Sequence, residues 1–493
     1  MNRDTHRRTV PPTSRIAVVL TCILVAAAAG AAQPDQATER RLADALRLLD
    51  VWIAEQIAYH GVPGLAIGVV HGDRVLWAKG YGRADLKSGA PVTTATPFRL
   101  GSVTKVFTAT AAMQLRDRGE LSLDDPLSRH LPWFAVRSPY ASAPPITLRH
   151  LLTHTSGLPR EGAFPYWTTH TFPSREEVRA GLAGQTVFSP PGATYRYSNL
   201  GMTLLGEVVE SASGEAYAAY LARHVFAPLG MTSSTAAPDA AQIAALARAY
   251  QRRRPGESRR EIAYYDTGVF APMGGVVSTV EDLGRFLALQ LTADAGGALD
   301  PARVLAPPTL AEMQRAQFVY PSFTGGRGLG FAVSRRDGVT LVGHGGWIGG
   351  HRADLLLDPA HKVGVAVLTN ADDAAPGPFA RRALEMVGAA LDGPPAPRTE
   401  KQPDPAWSRY VGTYTDPWGW EFEVLVLDGE LAVYEHNYPP DDDPGSSLTR
   451  LKPVPGEPHA FVMGDGERLT FVLDADGSVR HMVRRYDVLT PVR

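Results

Sequence analysis

The period of the hydrophobic positions changes along the chain, and the changes divide it. From 37 to 60 apolar residues recur at helical spacing (Leu42, Leu46, Leu49, Val51, Trp52, Ile57), and Gly61-Val62-Pro63-Gly64 stops the run. Short apolar runs at 65–70 and 75–81 meet at Gly72-Asp73, which predicts a hairpin. Val103, Val106, Phe107 and Met113 then predict a helix that starts at Ser102, with Gly119 as its end. Residues 145–230 alternate helical patterns with Gly- and Pro-rich loops. Runs at 330–333, 340–343, 353–357 and 363–369 read as strands, and 378–391 as a closing helix. A long helical insertion between an early hairpin and late antiparallel strands predicts an α/β domain with a mainly helical lobe, spanning 33–392.

Residues 393–405 are proline-rich, lack apolar periodicity and read as a linker. Beyond them the pattern is strand-like, at 423–427, 431–434, 461–463, 469–473 and 481–486, with turns at Asp428-Gly429, Asp465-Gly466 and Asp476-Gly477. This predicts a small all-β domain, barrel or sandwich, over 406–493. Asp474-Ala475-Asp476-Gly477 begins like a calcium loop but lacks the later bidentate acid, so it reads as a turn. No internal repeat is evident.

The N-terminus changes the picture of where the protein works. Arg3, Arg7, Arg8 and Arg15 precede an apolar stretch, 16–32, that ends in small residues. This is a secretory signal pattern with cleavage after Ala31 or Ala32, which predicts a periplasmic or secreted protein; the alternative is an uncleaved membrane anchor. The single cysteine, Cys22, lies inside this stretch, so the mature chain has no disulfide. The net charge of −2 falls to −5 once Arg3, Arg7, Arg8, Arg15 and Asp4 are removed. Nucleic-acid binding requires a basic footprint that this chain lacks.

Chemistry enters at Ser102-Val103-Thr104-Lys105. Residues three apart on a helix share a face, so a lysine amine is set beside a serine hydroxyl. A serine hydroxyl is a weak nucleophile until a neighbour takes its proton, and a lysine does so once burial or nearby positive charge lowers its pKa. Alone, the tetrapeptide is equally an ordinary helix N-cap. Four further stretches rich in polar and small residues decide between the two: Leu151-Leu152-Thr153-His154-Thr155-Ser156-Gly157-Leu158, Tyr197-Ser198-Asn199, Gly274-Gly275-Val276-Val277-Ser278 and Gly343-His344-Gly345-Gly346-Trp347.

In this order the motifs resemble the penicillin-recognising serine hydrolases, in the branch of class C β-lactamases, D-Ala-D-Ala carboxypeptidases and D-aminopeptidases. The resemblance covers roughly 40–392. It implies a β-lactamase/transpeptidase-like fold, an antiparallel sheet flanked by helices plus an all-helical lobe. Tyr410-Val411-Gly412-Thr413-Tyr414 resembles the opening of the lipocalin-like β modules that follow some relatives. Carried over, Ser102 is the acyl-accepting nucleophile, Lys105 shuttles its proton, and Tyr197 is the phenolic base, held partly as phenolate by two nearby cations. Asn199 orients Lys105 or a substrate amide. His344, Gly346 and Trp347 form the substrate strand, with the backbone N–H groups of Ser102 and Trp347 as the oxyanion hole. His344 stands where relatives carry lysine, and a mostly uncharged histidine holds a carboxylate less firmly. His154 reads as structural, shaping the floor of the site.

The reading is therefore a serine hydrolase of small amides or esters, D-amino-acid peptides or esters foremost, acting on a small-molecule or short-peptide substrate without metal or organic cofactor. The alternatives are a class C-type β-lactamase and an acylating sensor with little turnover. A C-terminal domain fixed near the cleft would narrow access to it; one floating on its linker would not.

Overall fold

The computed structural model describes residues 35–292, 304–393 and 403–492, apart from 337, 417–419, 438, 464–465 and 485–486. The signal segment and most of the linker lie outside the described residues. Helix α1 (Gln36–His60) starts where Asp35 accepts a hydrogen bond from the Thr38 N–H at 2.7 Å, and ends at Gly61 in the left-handed conformation. The hairpin of β1 (Gly64–His71) and β2 (Arg74–Gly82) turns at Gly72.

Six late strands complete the main sheet: β3 (Phe318–Val319), β4 (Gly325–Arg327), β5 (Ala332–Arg336), β6 (Val339–Ile348), β7 (His351–Asp358) and β8 (Val363–Thr369). Their order is β2-β1-β8-β7-β6-β5-β4-β3, antiparallel throughout. Strands β1 and β8 are buried on both faces. Leu65, Ile67, Val69, Val363, Val365 and Val367 pack beneath α1 and α5 (Pro376–Asp392). Ala66, Val70, Ala366 and Leu368 face the opposite core, built around α2 (Thr104–Asp117), α3 (Asn199–Ser213) and α4 (Val280–Leu291). Two apolar faces on one strand explain why these runs read as continuous rather than alternating.

Two expectations change. The strand predicted at 330–333 begins at Ala332, after Gly330 in the left-handed region. The strand predicted at 340–343 runs on to Ile348, so His344, Gly345 and Gly346 lie within it rather than after it. Glycine normally weakens a strand, but here close backbone approach requires it: a Cβ on Gly343 would stand 2.2 Å from the Leu355 carbonyl oxygen.

The C-terminal domain has nine strands: β9 (Gly412–Thr415), β10 (Glu421–Leu427), β11 (Glu430–Glu435), β12 (Leu448–Arg450), β13 (Lys452–Val454), β14 (Glu457–Val462), β15 (Arg468–Leu473), β16 (Val479–Arg484) and β17 (Asp487–Pro491). Each pairs with its neighbour in sequence and β17 returns to β9; only β12 and β13, separated by Leu451, are unpaired with each other. The result is a nearly closed up-and-down barrel around Tyr410, Tyr414, Phe461 and Phe471. It docks on α1. Leu425, Leu427, Ala432 and Tyr434 pack against Leu48 and Val51, and the buried Glu55 carboxylate accepts from the Tyr434 hydroxyl (2.6 Å) and the Asn437 N–H (2.8 Å).

Candidate active site

Phe98–Arg99, paired antiparallel with Val277–Ser278, leads through Leu100 into a 3-10 turn, Gly101–Val103, that runs into α2. Ser102 therefore sits at the mouth of a helix whose own residues are nearly all buried. Lys105, in the first turn of α2, is fully buried, with Nζ 3.0 Å from Ser102 Oγ and 2.5 Å from the Met273 carbonyl oxygen. Burial pushes its pKa well below the ordinary lysine value. The Glu161 carboxylate opposes that shift, and the Arg160 and Arg327 charges add to it. An unprotonated amine beside the serine is a competent base.

Tyr197 arrives from the segment before α3. Ser198 caps that helix, accepting from the Gly201 N–H at 2.9 Å and donating to the Pro159 carbonyl at 2.6 Å. This pins Tyr197 and Asn199 on either side of the cap. The Tyr197 hydroxyl is hydrogen-bonded to Ser102, and the Lys105 Nζ lies 5.0 Å from its ring centroid. The expected phenolate is not what the surroundings favour. Burial pushes the Tyr197 hydroxyl up to about 12, although the Ser102 hydrogen bond and the Arg327 and Arg160 charges pull the other way. Both shifts favour the uncharged forms, amine and phenol.

His154 lies beneath Tyr197, ring centroids 4.4 Å apart, with its Nδ1 accepting from the Ser198 N–H at 3.2 Å. Burial keeps it neutral. It supports the tyrosine ring, as the sequence reading expected of a structural histidine. Of the two partners expected of Asn199, Lys105 is not hydrogen-bonded to it: its Nδ2 donates to Glu161 Oε1 at 2.6 Å, and its buried Oδ1 has no partner among the described residues.

The opposite wall is the edge of β6. Strand β5 pairs with β6 only as far as Gly343, which leaves 344–347 open on that side. Gly349 and Gly350 form a two-residue hairpin between Ile348 and His351, so the alternating ladder directs the Trp347 N–H away from β7, into the cleft. A Cβ on Gly101 would stand 2.6 Å from the Trp347 backbone nitrogen, which places that N–H beside the Ser102 turn. The Trp347 side chain leans outward, half exposed, with its indole N–H on Asp372 at 2.7 Å and its ring against Trp167.

His344 is buried, with Nδ1 on the Gly345 carbonyl at 2.7 Å and Nε2 unpartnered. Burial first, then Lys105 and Arg327, hold its pKa down to about 3, so it carries no charge. Sequence reasoning missed Arg160, Glu161 and Arg327, which line the cleft with Ser102, Tyr197, Asn199 and His344. The glycines around Arg327 (Gly325-Gly326-Arg327-Gly328) were the available signal. The cleft measures about 950 Å³, and among the described residues none of the C-terminal domain lines it.

The antiparallel sheet, the helical lobe and a serine–lysine cleft between them define the class of β-lactamase-fold serine hydrolases. The family model described as Beta-lactamase matches residues 49–389, and the chain belongs to that family. It is 33% identical over 318 residues to penicillin-binding protein 4 of Amycolatopsis lactamdurans, covering 63% of this chain and 81% of that protein. Among solved structures it resembles an octameric penicillin-binding protein homologue from Pyrococcus abyssi, with TM-score 0.62 and 26% identity over 90% of this chain and 100% of that one. It also resembles a β-lactamase/D-alanine carboxypeptidase from Yersinia pestis, with TM-score 0.59 and 25% identity over 70% and 98% of the two chains.

Proposed function

We propose that this protein cleaves small amides or esters, D-amino-acid peptides or esters foremost, through an acyl-enzyme on Ser102. The observation that carries the reading is the buried Lys105 amine 3.0 Å from Ser102 Oγ, within reach of the proton it must take. As Oγ bonds to the substrate carbonyl carbon, its proton passes to Lys105. The N–H groups of Ser102 and Trp347 receive the oxyanion, an arrangement that supplies about 3 kcal/mol per donor. As the scissile bond breaks, the leaving group takes the Tyr197 proton, and the Lys105 ammonium returns one to the phenolate. Water then gives a proton to the Tyr197–Lys105 pair and attacks the acyl carbon, and Ser102 Oγ leaves as the hydroxyl.

The solved structure described as a β-lactamase/D-alanine carboxypeptidase is in keeping with a D-alanyl substrate and with a β-lactam alike. An uncharged His344 argues against efficient β-lactam hydrolysis, because the strand offers no cation to a carboxylate. The test is a substrate panel on the protein from residue 33 onward: D-alanyl and L-alanyl p-nitroanilide, p-nitrophenyl acetate and a chromogenic cephalosporin. Preference for the D-alanyl substrate over both the L-alanyl one and the cephalosporin is expected. Fast cephalosporin turnover beside slow D-alanyl turnover contradicts the reading.

A further inference from the structure

A second cavity, of about 600 Å³, lies behind the segment that holds Lys105, and its size suits a small organic ligand. Residues of α3, of the helix Tyr217–Leu221 and of the short helix Ala271–Gly274 line it. Much of the lining is apolar, with Ala216, Ala218, Ala236, Val269 and Pro272. The ionisable lining is mainly acidic: Glu207, Glu210 and Asp266 against Arg175.

Glu207 indicates what the cavity takes. The residue is only 3% exposed. Its Oε2 accepts from Arg179 Nη2 at 2.9 Å, whereas its Oε1 is buried with no partner among the described residues. Arg179 does not itself line the cavity, and Arg175 is held by Glu210 at 2.5 Å. A buried carboxylate oxygen without a donor is costly, and a cationic donor recovers that cost. Apolar walls around an unsatisfied anionic acceptor fit an organic cation, amidinium or ammonium, on a compact apolar body.

The walls of this cavity are hydrogen-bonded to α2. Thr108, three residues beyond Lys105, donates from Oγ1 to the Pro272 carbonyl at 2.7 Å and lies 2.7 Å from the Tyr217 hydroxyl. The next carbonyl along, that of Met273, accepts from Lys105 Nζ. Pro272 packs tightly on α3, where a Cβ on Gly206 would stand 2.1 Å from its ring. A molecule seated against Pro272 and Tyr217 therefore bears on the carbonyl that holds the amine.

We infer that this cavity is a second binding site, for a small organic cation with an apolar body, and that its occupant alters the rate of the Ser102 reaction through the turn that holds Lys105. The effect on rate rests on the proposed role of Lys105; the cation site itself does not.

The experiment separates the two. Benzamidine and benzamide share a ring and differ in amidinium against neutral amide. Calorimetry on the wild-type protein is expected to show benzamidine binding about tenfold or more tighter. Glu207→Gln brings the two affinities together. Ala237→Trp, at an exposed position of the cavity lining, weakens both without touching the core. Saturating benzamidine is expected to change kcat on p-nitrophenyl acetate by about fivefold or more with KM little altered, and Ala237→Trp removes that response. Equal binding of the two compounds, or a preference for benzamidine that survives in both variants, overturns the site. Amidinium-selective binding that leaves kcat unchanged overturns its effect on Lys105. Selective binding by a wild-type protein that turns over none of the substrates removes the hydrolase reading and leaves the cation site standing.

Discussion

Gly346 passes so close to Leu100 that a Cβ on the glycine would stand 2.0 Å from the Leu100 carbonyl oxygen. This contact holds the β6 edge against the turn that carries Ser102, as the proposed oxyanion hole of the Ser102 and Trp347 N–H groups requires. Gly346→Ala must push the two backbones apart. The expected result is a fall in kcat of roughly a hundredfold or more, the usual loss of an oxyanion donor. Thermal unfolding should show that the main domain stays folded.

The pH profile follows from the amine–phenol pair. Lys105 works unprotonated, and burial lowers its pKa, so kcat/KM should rise with pH as the ammonium is lost and then level off. Tyr197 gives its proton only near 12, so no alkaline decline is expected up to pH 10. Rates on p-nitrophenyl acetate between pH 5 and 10, corrected for background hydrolysis, check this. A bell centred near neutrality would show that Tyr197 starts as the phenolate.

His351 provides a stability signature away from catalysis. It is buried, its Nδ1 has no partner, and burial with the Arg99 charge holds its pKa down to about 3. Its folded form binds no proton where the unfolded chain, with an ordinary pKa near 6.5, does. Its contribution is therefore complete above about pH 6.5 and is lost as pH falls, by about 1.4 kcal/mol per pH unit, until about pH 3. His351→Leu should flatten the acid slope of unfolding free energy by that amount between pH 6 and 4. An unchanged slope would contradict the assignment.

Glu55 is one of the contacts that hold the barrel to the main domain, beside the packing on Leu48 and Val51 and the bonds from Trp52 and Gln56 to the Asp441 carbonyl. Glu55→Ala leaves the Tyr434 hydroxyl and the Asn437 N–H without their acceptor, at a cost of about 2 kcal/mol. Hydrogen exchange should quicken in β10 and β11, while kcat/KM on small substrates stays within about twofold of wild type because no described residue of the barrel lines the cleft. A large catalytic change in this variant would revive the idea that the C-terminal domain gates access.

Much of the architecture was legible because its signals are local. The 37–60 helix, the Gly72 hairpin and the strand at 363–369 follow from apolar period and turn residues, and the ordered motifs bring Ser102, Tyr197 and Asn199 to one cleft with Lys105 buried behind Ser102. What was illegible depends on three-dimensional surroundings. A strand through Gly343-His344-Gly345-Gly346 contradicts propensity and makes sense only against Leu355 and Leu100. The protonation of Tyr197 is set by burial, which no motif reports. Glu161 captures the Asn199 amide from a loop without periodicity, and Arg327 enters on a short strand, Gly325–Arg327, whose glycines carry no apolar period.

The central claim is a covalent acyl-enzyme on Ser102 made by the Lys105 amine. Its most direct measurement is mass spectrometry of the protein quenched during turnover of p-nitrophenyl acetate, with Ser102→Ala and Lys105→Ala alongside. An acetyl group mapped to the Ser102 peptide in the wild type, absent from Ser102→Ala and formed far more slowly in Lys105→Ala, is the predicted result. Undiminished turnover in Ser102→Ala, or an acetyl group on another residue as the turnover intermediate, would contradict the account.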